Sequence, residues 1–181
     1  MRAEVFAFNE KSLISQNNPT VLADKPGFIN AGGKLIDLSV PKVMGIINVT
    51  PDSFYPGSRV TGNREIVESA AEMISEGADI LDVGGYSSRP LADDVPAEEE
   101  KKRVLNAIRR IRERFPDAII SVDTFRAEIA YEAVTGHGVQ IVNDISGGDA
   151  DGEMFGLIAE LNVPYVIMHM KGNPRNMQDN P

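Results

Sequence analysis

The chain has 181 residues, a net charge of −9, 42% hydrophobic residues, and neither Cys nor Trp. These totals leave room for one large domain or two small ones, exclude disulfide and thiolate chemistry, and argue against nucleic acid as a partner. No apolar run approaches the roughly 20 residues that cross a bilayer, so no membrane partner is expected. The first residues carry acids at Glu4 and Glu10 and lack a continuous apolar stretch. No signal peptide is therefore read, and a reducing, cytoplasmic setting is the expectation.

Residues 1–26 read as an N-terminal extension: from 9 to 26 they are polar and interrupted by Pro19 and Pro26. "FINAGGKLIDLS" (28–39) shows short apolar alternation on either side of Gly32-Gly33, which predicts a hairpin. "VMGIINV" (43–49) is a strand of the buried type. "NREIVESAAEMISEG" (63–77) predicts a helix with Ile66, Val67, Ala70, Met73 and Ile74 on one face, Asn63 as N-cap and Gly77 as stop. "ADILDVG" (78–84) is the next strand. "AEEEKKRVLNAIRRIRERF" (97–115) is a helix with an apolar face of Val104, Leu105, Ile108, Ile111 and Phe115. Its early acids, Glu98 to Glu100, and late Arg110, Arg112 and Arg114 suit the helix dipole. Strands at 118–124, 139–144 and 164–170 then alternate with helices at 126–136 and 152–162.

Val/Ile strands alternating with amphipathic helices predict an α/β fold with a parallel sheet. No GxGxxG or GxxxxGK[ST] follows the first strand, which disfavours a nucleotide-binding doubly wound sheet. Polar residues recur at the strand ends: Asn48, Asp82, Asp123, Asn143 with Asp144, and His169. That phase predicts a (β/α)8 TIM-type barrel, whose C-terminal rim carries chemistry. Only five such strands are found. The expectation is an incomplete barrel over 27–181, the first part of a longer protein; a half-barrel that closes on another chain is the alternative.

Each rim residue has two readings. Pro51 ends the first strand, because it lacks an N–H and holds its predecessor extended. Asn48 then faces the mouth, with an oxygen for a metal or an N–H for an anion, or else bonds a neighbouring strand. "DVGGYSSRP" sets Gly84-Gly85, Ser87, Ser88 and Arg89 in a loop that reads as an anion cradle or as a solvated turn. Asp123 pairs with a cationic, guanidine-like edge of a ligand or caps the helix at 126. His169, between Met168 and Met170, reads first as a core residue. With two His and no Cys a His-rich zinc site is excluded, whereas an oxygen-held Mg2+ is allowed.

"NVTPDSF", "DVGGYSSRP", "SVDT", "VNDISGG" and "MHMKGNP" occur in this order, and with them the chain resembles the dihydropteroate synthases over residues 28–181. The resemblance implies a (β/α)8 barrel. It also implies condensation of p-aminobenzoate with 6-hydroxymethyl-7,8-dihydropterin pyrophosphate, giving 7,8-dihydropteroate and pyrophosphate with Mg2+. By position, Asn48 is implied to meet metal or pyrophosphate, Asp123 and Asn143 to hold the pterin ring, and Met168 to wall its pocket. Ser88 and Arg89 are implied to reach pyrophosphate and the aminobenzoate side, and Pro51 and Phe54 to close over p-aminobenzoate, where sulfonamides also bind. Asp123 and Arg89 are the residues implied in catalysis, and the full-length protein is expected to be a homodimer. Tyr86, Ser88 and Leu91 stand where an acid, Thr and Gly are the family's pattern. The family's later loops, including a Lys-Ser segment and an Arg-x-His ending, have no counterpart, so the 181 residues alone are expected to be inactive. A pterin-binding methyltransferase domain and a non-catalytic half-barrel assembly module are the competing readings.

Overall fold

A computed structural model describes residues 3–5, 27–49, 59–86 and 95–168. In chain order these form β1 (Ala3–Val5), β2 (Phe28–Ala31), β3 (Lys34–Asp37), β4 (Val43–Asn48), α1 (Arg59–Ser75), β5 (Ile80–Gly84), α2 (Ala97–Arg114), β6 (Ile119–Asp123), α3 (Ala127–His137), β7 (Ile141–Asp144), α4 (Met154–Leu161) and β8 (Tyr165–Ile167). One sheet runs β1-β4-β5-β6-β7-β8 and a second is the β2-β3 hairpin. β4 to β8 pair in parallel, which are the five expected strands, each but the last followed by a helix. β1 is an addition: three residues of the stretch read as an extension pair antiparallel to β4.

The pleat sorts the sheet's side chains into two layers, because alternate residues point to opposite faces. Ile47 and Val49, Leu81 and Val83, Ile120 and Val122, and Val142 face the helices. They pack there with Ile66 and Ala70 of α1, Val104, Ile108 and Ile111 of α2, Ile129 and Ala133 of α3, and Met154. On the other face, Met44, Ile80 and Ile141 meet Ala31 and Ile36 of the hairpin in a second apolar cluster. The hairpin therefore closes the N-terminal end of the strands and leaves their C-terminal ends as the polar end. Its turn is Gly32 and Gly33, both at positive φ, as the glycine pair predicts.

Two expectations for α1 are corrected. The helix begins at Arg59, so Asn63 lies inside it rather than capping it, and its Oδ1 instead accepts from Asn106 Nδ2 of α2 at 2.8 Å. Ile74, read as part of the apolar face, is exposed. Gly77 does stop the helix: at φ +101 its N–H donates to Ile74 O while Ala78 N–H reaches Met73 O, the crossed pair of bonds of a Schellman end. In α2, Glu100 does more than complement a dipole. It is fully buried and bonded to the loop after β6. Arg112 likewise donates to Pro116 O, Ala118 O, Gly138 O and Gln140 Oε1, tying the end of α2 to the start of β6 and the end of α3.

Candidate active site

The register puts Asn48, Gly84, Asp123 and Asn143 side by side across β4, β5, β6 and β7. Parallel strands lie about 4.8 Å apart, so Asp123 and Asn143 are adjacent and Asn48 is about 10 Å from Asp123 along the same row. By the pleat all four face away from the helix layer. Asn48 is exposed, and Asp123 and Asn143 are half-buried. Asp123 leans over Gly84: a Cβ added there would stand 3.0 Å from Asp123 Oδ2 and 3.2 Å from its Cβ. The alternative reading of Asp123 as a helix cap does not hold. Arg126 occupies the cap position with no side-chain cap bond, Arg126 N–H donates to Thr124 Oγ1, and Ala127 N–H donates to Asp151 Oδ2 at 2.8 Å.

Beneath this row lies a second polar layer. Asp82, in register with Ser121, is buried and accepts from Asn143 Nδ2 at 2.9 Å. The Ser121 hydroxyl is buried with no hydrogen-bond partner among the described residues. Asp144, one residue past Asn143, points the other way and is not a rim residue. Its carboxylate accepts from Ser146 N, Ser146 Oγ, Gly148 N and the Tyr165 hydroxyl, the last at 2.6 Å, and so builds the loop after β7. Burial and then this bond hold the Tyr165 phenol protonated well above the usual tyrosine range.

The start of the second loop is fixed from below. The space beside Gly84 and Gly85 is filled by the protein itself. A Cβ at 85 would meet Val104 Cγ2 of α2 at 2.6 Å. The Glu100 carboxylate accepts from Thr124 Oγ1 at 2.7 Å and pairs with the Arg126 guanidinium, which also donates to Val95 O at 2.9 Å. That guanidinium lies 4.9 Å from the Phe125 ring and 5.9 Å from Tyr86, and the two rings meet edge-to-face. The chain on both sides of residues 87–94 is thus bound to the loop that follows Asp123. Asp82, counted among the strand-end polar residues, lies one layer below the rim, because Gly84 is the β5 residue in register with Asn48 and Asp123. For the burial and pairing of Glu100 the sequence carried no signal beyond an acid in the first turn of α2.

Met168 follows β8, partly exposed, with its N–H donating to Asp144 O. Pro51, Phe54, Ser88, Arg89 and His169 lie outside the described residues.

The pattern that defines pterin-binding enzymes matches residues 44–181. The chain belongs to the pterin-binding enzyme family. It is 51% identical over 140 residues to the mitochondrial folate synthesis bifunctional protein of Pisum sativum, covering 76% of this chain and 27% of that protein. It is 44% identical over 151 residues to the dihydropteroate synthase of Escherichia coli strain K12, covering 83% of this chain and 52% of that protein. The structure of Xanthomonas albilineans dihydropteroate synthase with 4-aminobenzoic acid superimposes with a TM-score of 0.73 at 40% identity, over 81% of this chain and 52% of that one. The chain therefore spans about half the length of these synthases, and the fold is the (β/α)8 barrel type, here with five parallel strands among the described residues. Among those residues no helix is long and apolar enough to cross a membrane.

Proposed function

We propose that the protein containing this chain is a dihydropteroate synthase, joining p-aminobenzoate to 6-hydroxymethyl-7,8-dihydropterin pyrophosphate. The observation that carries this reading is the row of Asn48, Asp123 and Asn143 at the C-terminal strand ends of a pterin-binding family member. Asp123 and Asn143, on adjacent strands, offer oxygen acceptors to the N–H edge of the pterin. The carboxylate also favours positive charge as it develops on the pterin methylene carbon. The C–O bond to pyrophosphate breaks, the arylamine nitrogen forms the new C–N bond, and its proton passes to solvent. By the resemblance, Arg89 and Ser88 take up charge on the departing pyrophosphate. Pro51 and Phe54 flank p-aminobenzoate, which makes the same place the one for sulfonamides, and Met168 walls the pterin.

Among the described residues no three His, Asp or Glu gather as a cage, and Asn48 brings one neutral oxygen to an exposed rim. That donor set suits Mg2+, which keeps most of its ligands as water and substrate phosphate; Asn48 would hold it. When bound, Mg2+ supplies charge neutralisation at the pyrophosphate. A homodimer, supported by the family resemblance alone, and a reducing, cytoplasmic setting, supported by the Cys-free composition, complete this reading.

The test is dihydropteroate formation from the two substrates by the intact protein containing this chain, with pyrophosphate release followed in parallel. Asp123→Asn is expected to lower kcat/KM by about a hundredfold, the scale of a lost preorganised charge. An intact protein that releases no pyrophosphate, or an Asp123→Asn variant as active as the parent, overturns the reading.

A further inference from the structure

Asp82 stands two residues below the rim in β5, 2% exposed, and its Oδ2 accepts from Asn143 Nδ2 at 2.9 Å. The two strands are not neighbours. β6 runs between them, so their backbones are about 10 Å apart. The bond crosses the concave face above Ser121, which sits in register with Asp82 on the intervening strand. Two short side chains reach each other this way only because the sheet curls and both point inward.

We propose that Asp82 is a positioning residue: it fixes the orientation of the Asn143 carboxamide and thereby which edge of the heterocycle the rim accepts. This deepens, and rests on, the pterin reading given above. An asparagine amide has two orientations of nearly equal shape about its last torsion, with oxygen and nitrogen exchanged. An ionised carboxylate only accepts hydrogen bonds. Facing Asp82, the amide must present its nitrogen; the reverse orientation would press Oδ1 against Oδ2. With one N–H held below, Asn143 has Oδ1 and its other N–H left for a ligand, beside the acceptors of Asp123. The rim then favours a ring edge rich in N–H groups over an isomeric edge of carbonyls. Without Asp82 the amide is free to turn, and part of the population offers the ring the wrong atom.

The experiment is a double-mutant cycle on the intact protein, with 6-hydroxymethylpterin as probe and calorimetry as readout. Asp82→Leu keeps the branching at Cγ and removes the acceptor. It is expected to weaken binding about tenfold, the scale seen when a supporting hydrogen bond to a ligand-holding side chain is lost. In an Asn143→Ala background the same substitution should change affinity by no more than about twofold, because contacting residues couple and there is no longer an amide to orient. In turnover, the loss should appear in KM for the pterin substrate rather than in kcat. If Asp82→Leu does not fold, Asp82→Asn completes the cycle. Its own oxygen can still accept, so a smaller loss of about threefold is expected, again only when Asn143 is present. Equal losses in both backgrounds, or an Asp82→Leu protein that binds like its parent, overturn the assignment while leaving the pterin reading intact. A parent protein that binds no pterin removes both.

Discussion

Removing the Glu100 carboxylate is the sharpest available test of how the loop after β6 is held. Glu100 is fully buried, accepts from Thr124 Oγ1 at 2.7 Å and pairs with Arg126, whose side chain is 20% exposed. Breaking a buried pair by deleting one member costs about 3–5 kcal/mol. In Glu100→Ala the guanidinium left behind keeps its bond to Val95 O and some water, which favours the low end. The stranded Thr124 hydroxyl adds about 1 kcal/mol. A loss of about 3–4 kcal/mol is expected, a large share of the 5–15 kcal/mol typical of whole domains. With a urea slope of about 2 kcal/mol per molar, the midpoint falls by about 1.5–2 M. The converse variant, Arg126→Met, strands a carboxylate with no exposure at all and should cost more than Glu100→Ala. The double variant Glu100→Ala/Arg126→Met removes both charges and should cost less than the sum of the two single losses. Urea unfolding of all four proteins settles it. A Glu100→Ala loss under about 1 kcal/mol, or strict additivity in the double variant, would show that the pair is not the clamp its geometry describes.

Four further outcomes follow from single positions. Gly84→Ala puts a Cβ 3.0 Å from Asp123 Oδ2; it should cost about 1–2 kcal/mol in urea unfolding and, by tilting that carboxylate, about threefold to tenfold in pterin affinity. Tyr165→Phe tests the phenol raised above its ordinary value of 10.0 by burial and by Asp144. A raised folded-state pKa gives stability that is complete below the unfolded value and is lost as pH rises past it. The melting-temperature advantage of the parent over the variant should therefore be constant up to about pH 10 and shrink above it; an advantage that stays flat to pH 11.5 contradicts this. Gly77→Ala, in open space at φ +101, should destabilise by about 1–2 kcal/mol. Its counterpart inside α3, Gly136→Ala, in open space with ordinary φ, should stabilise by up to about 1 kcal/mol.

What the sequence could convey depended on whether a signal was periodic or pairwise. Val43 to Asn48 and Ile119 to Asp123 were legible because long apolar runs bounded by turn residues leave few other structures open. So was the rim at Asn48, Asp123 and Asn143, since residues at the same phase of successive parallel strands must share an end of the sheet. Asp82 and Asp144, read with them, fall one layer lower and on the opposite face, respectively, because a polar residue near a strand end does not by itself give the register. The bond between Asp82 and Asn143 joins residues 61 apart on non-adjacent strands, and no local pattern encodes it. Glu100 is one of three successive glutamates in the first turn of α2; propensity treats them alike, and only the packing against Thr124 selects one. Asn63 was misread because a good cap residue four positions into a helix looks like a start. Ala3–Val5 is too short to show alternation and is defined only by its pairing with β4.

The inner face of the sheet explains why chemistry is confined to one end. Along β4, β5 and β6 the inward residues run from Met44, Ile80 and Ile119 through Ile46, Asp82 and Ser121 to Asn48, Gly84 and Asp123. At the apolar end the hairpin lays Ala31 and Ile36 across the strands, removing that surface from water and from any polar ligand. Polarity rises one layer at a time, so the deeper acid is desolvated while the shallower one stays half-exposed. A carboxylate that must meet a charged or N–H-rich ligand works best where water can be displaced by that ligand, which is the position of Asp123. A carboxylate that must hold another side chain still works best where water cannot compete, which is the position of Asp82. The gradient thus assigns the two acids different tasks from one strand geometry. Exchanging their depths, rather than their identities, would exchange those tasks.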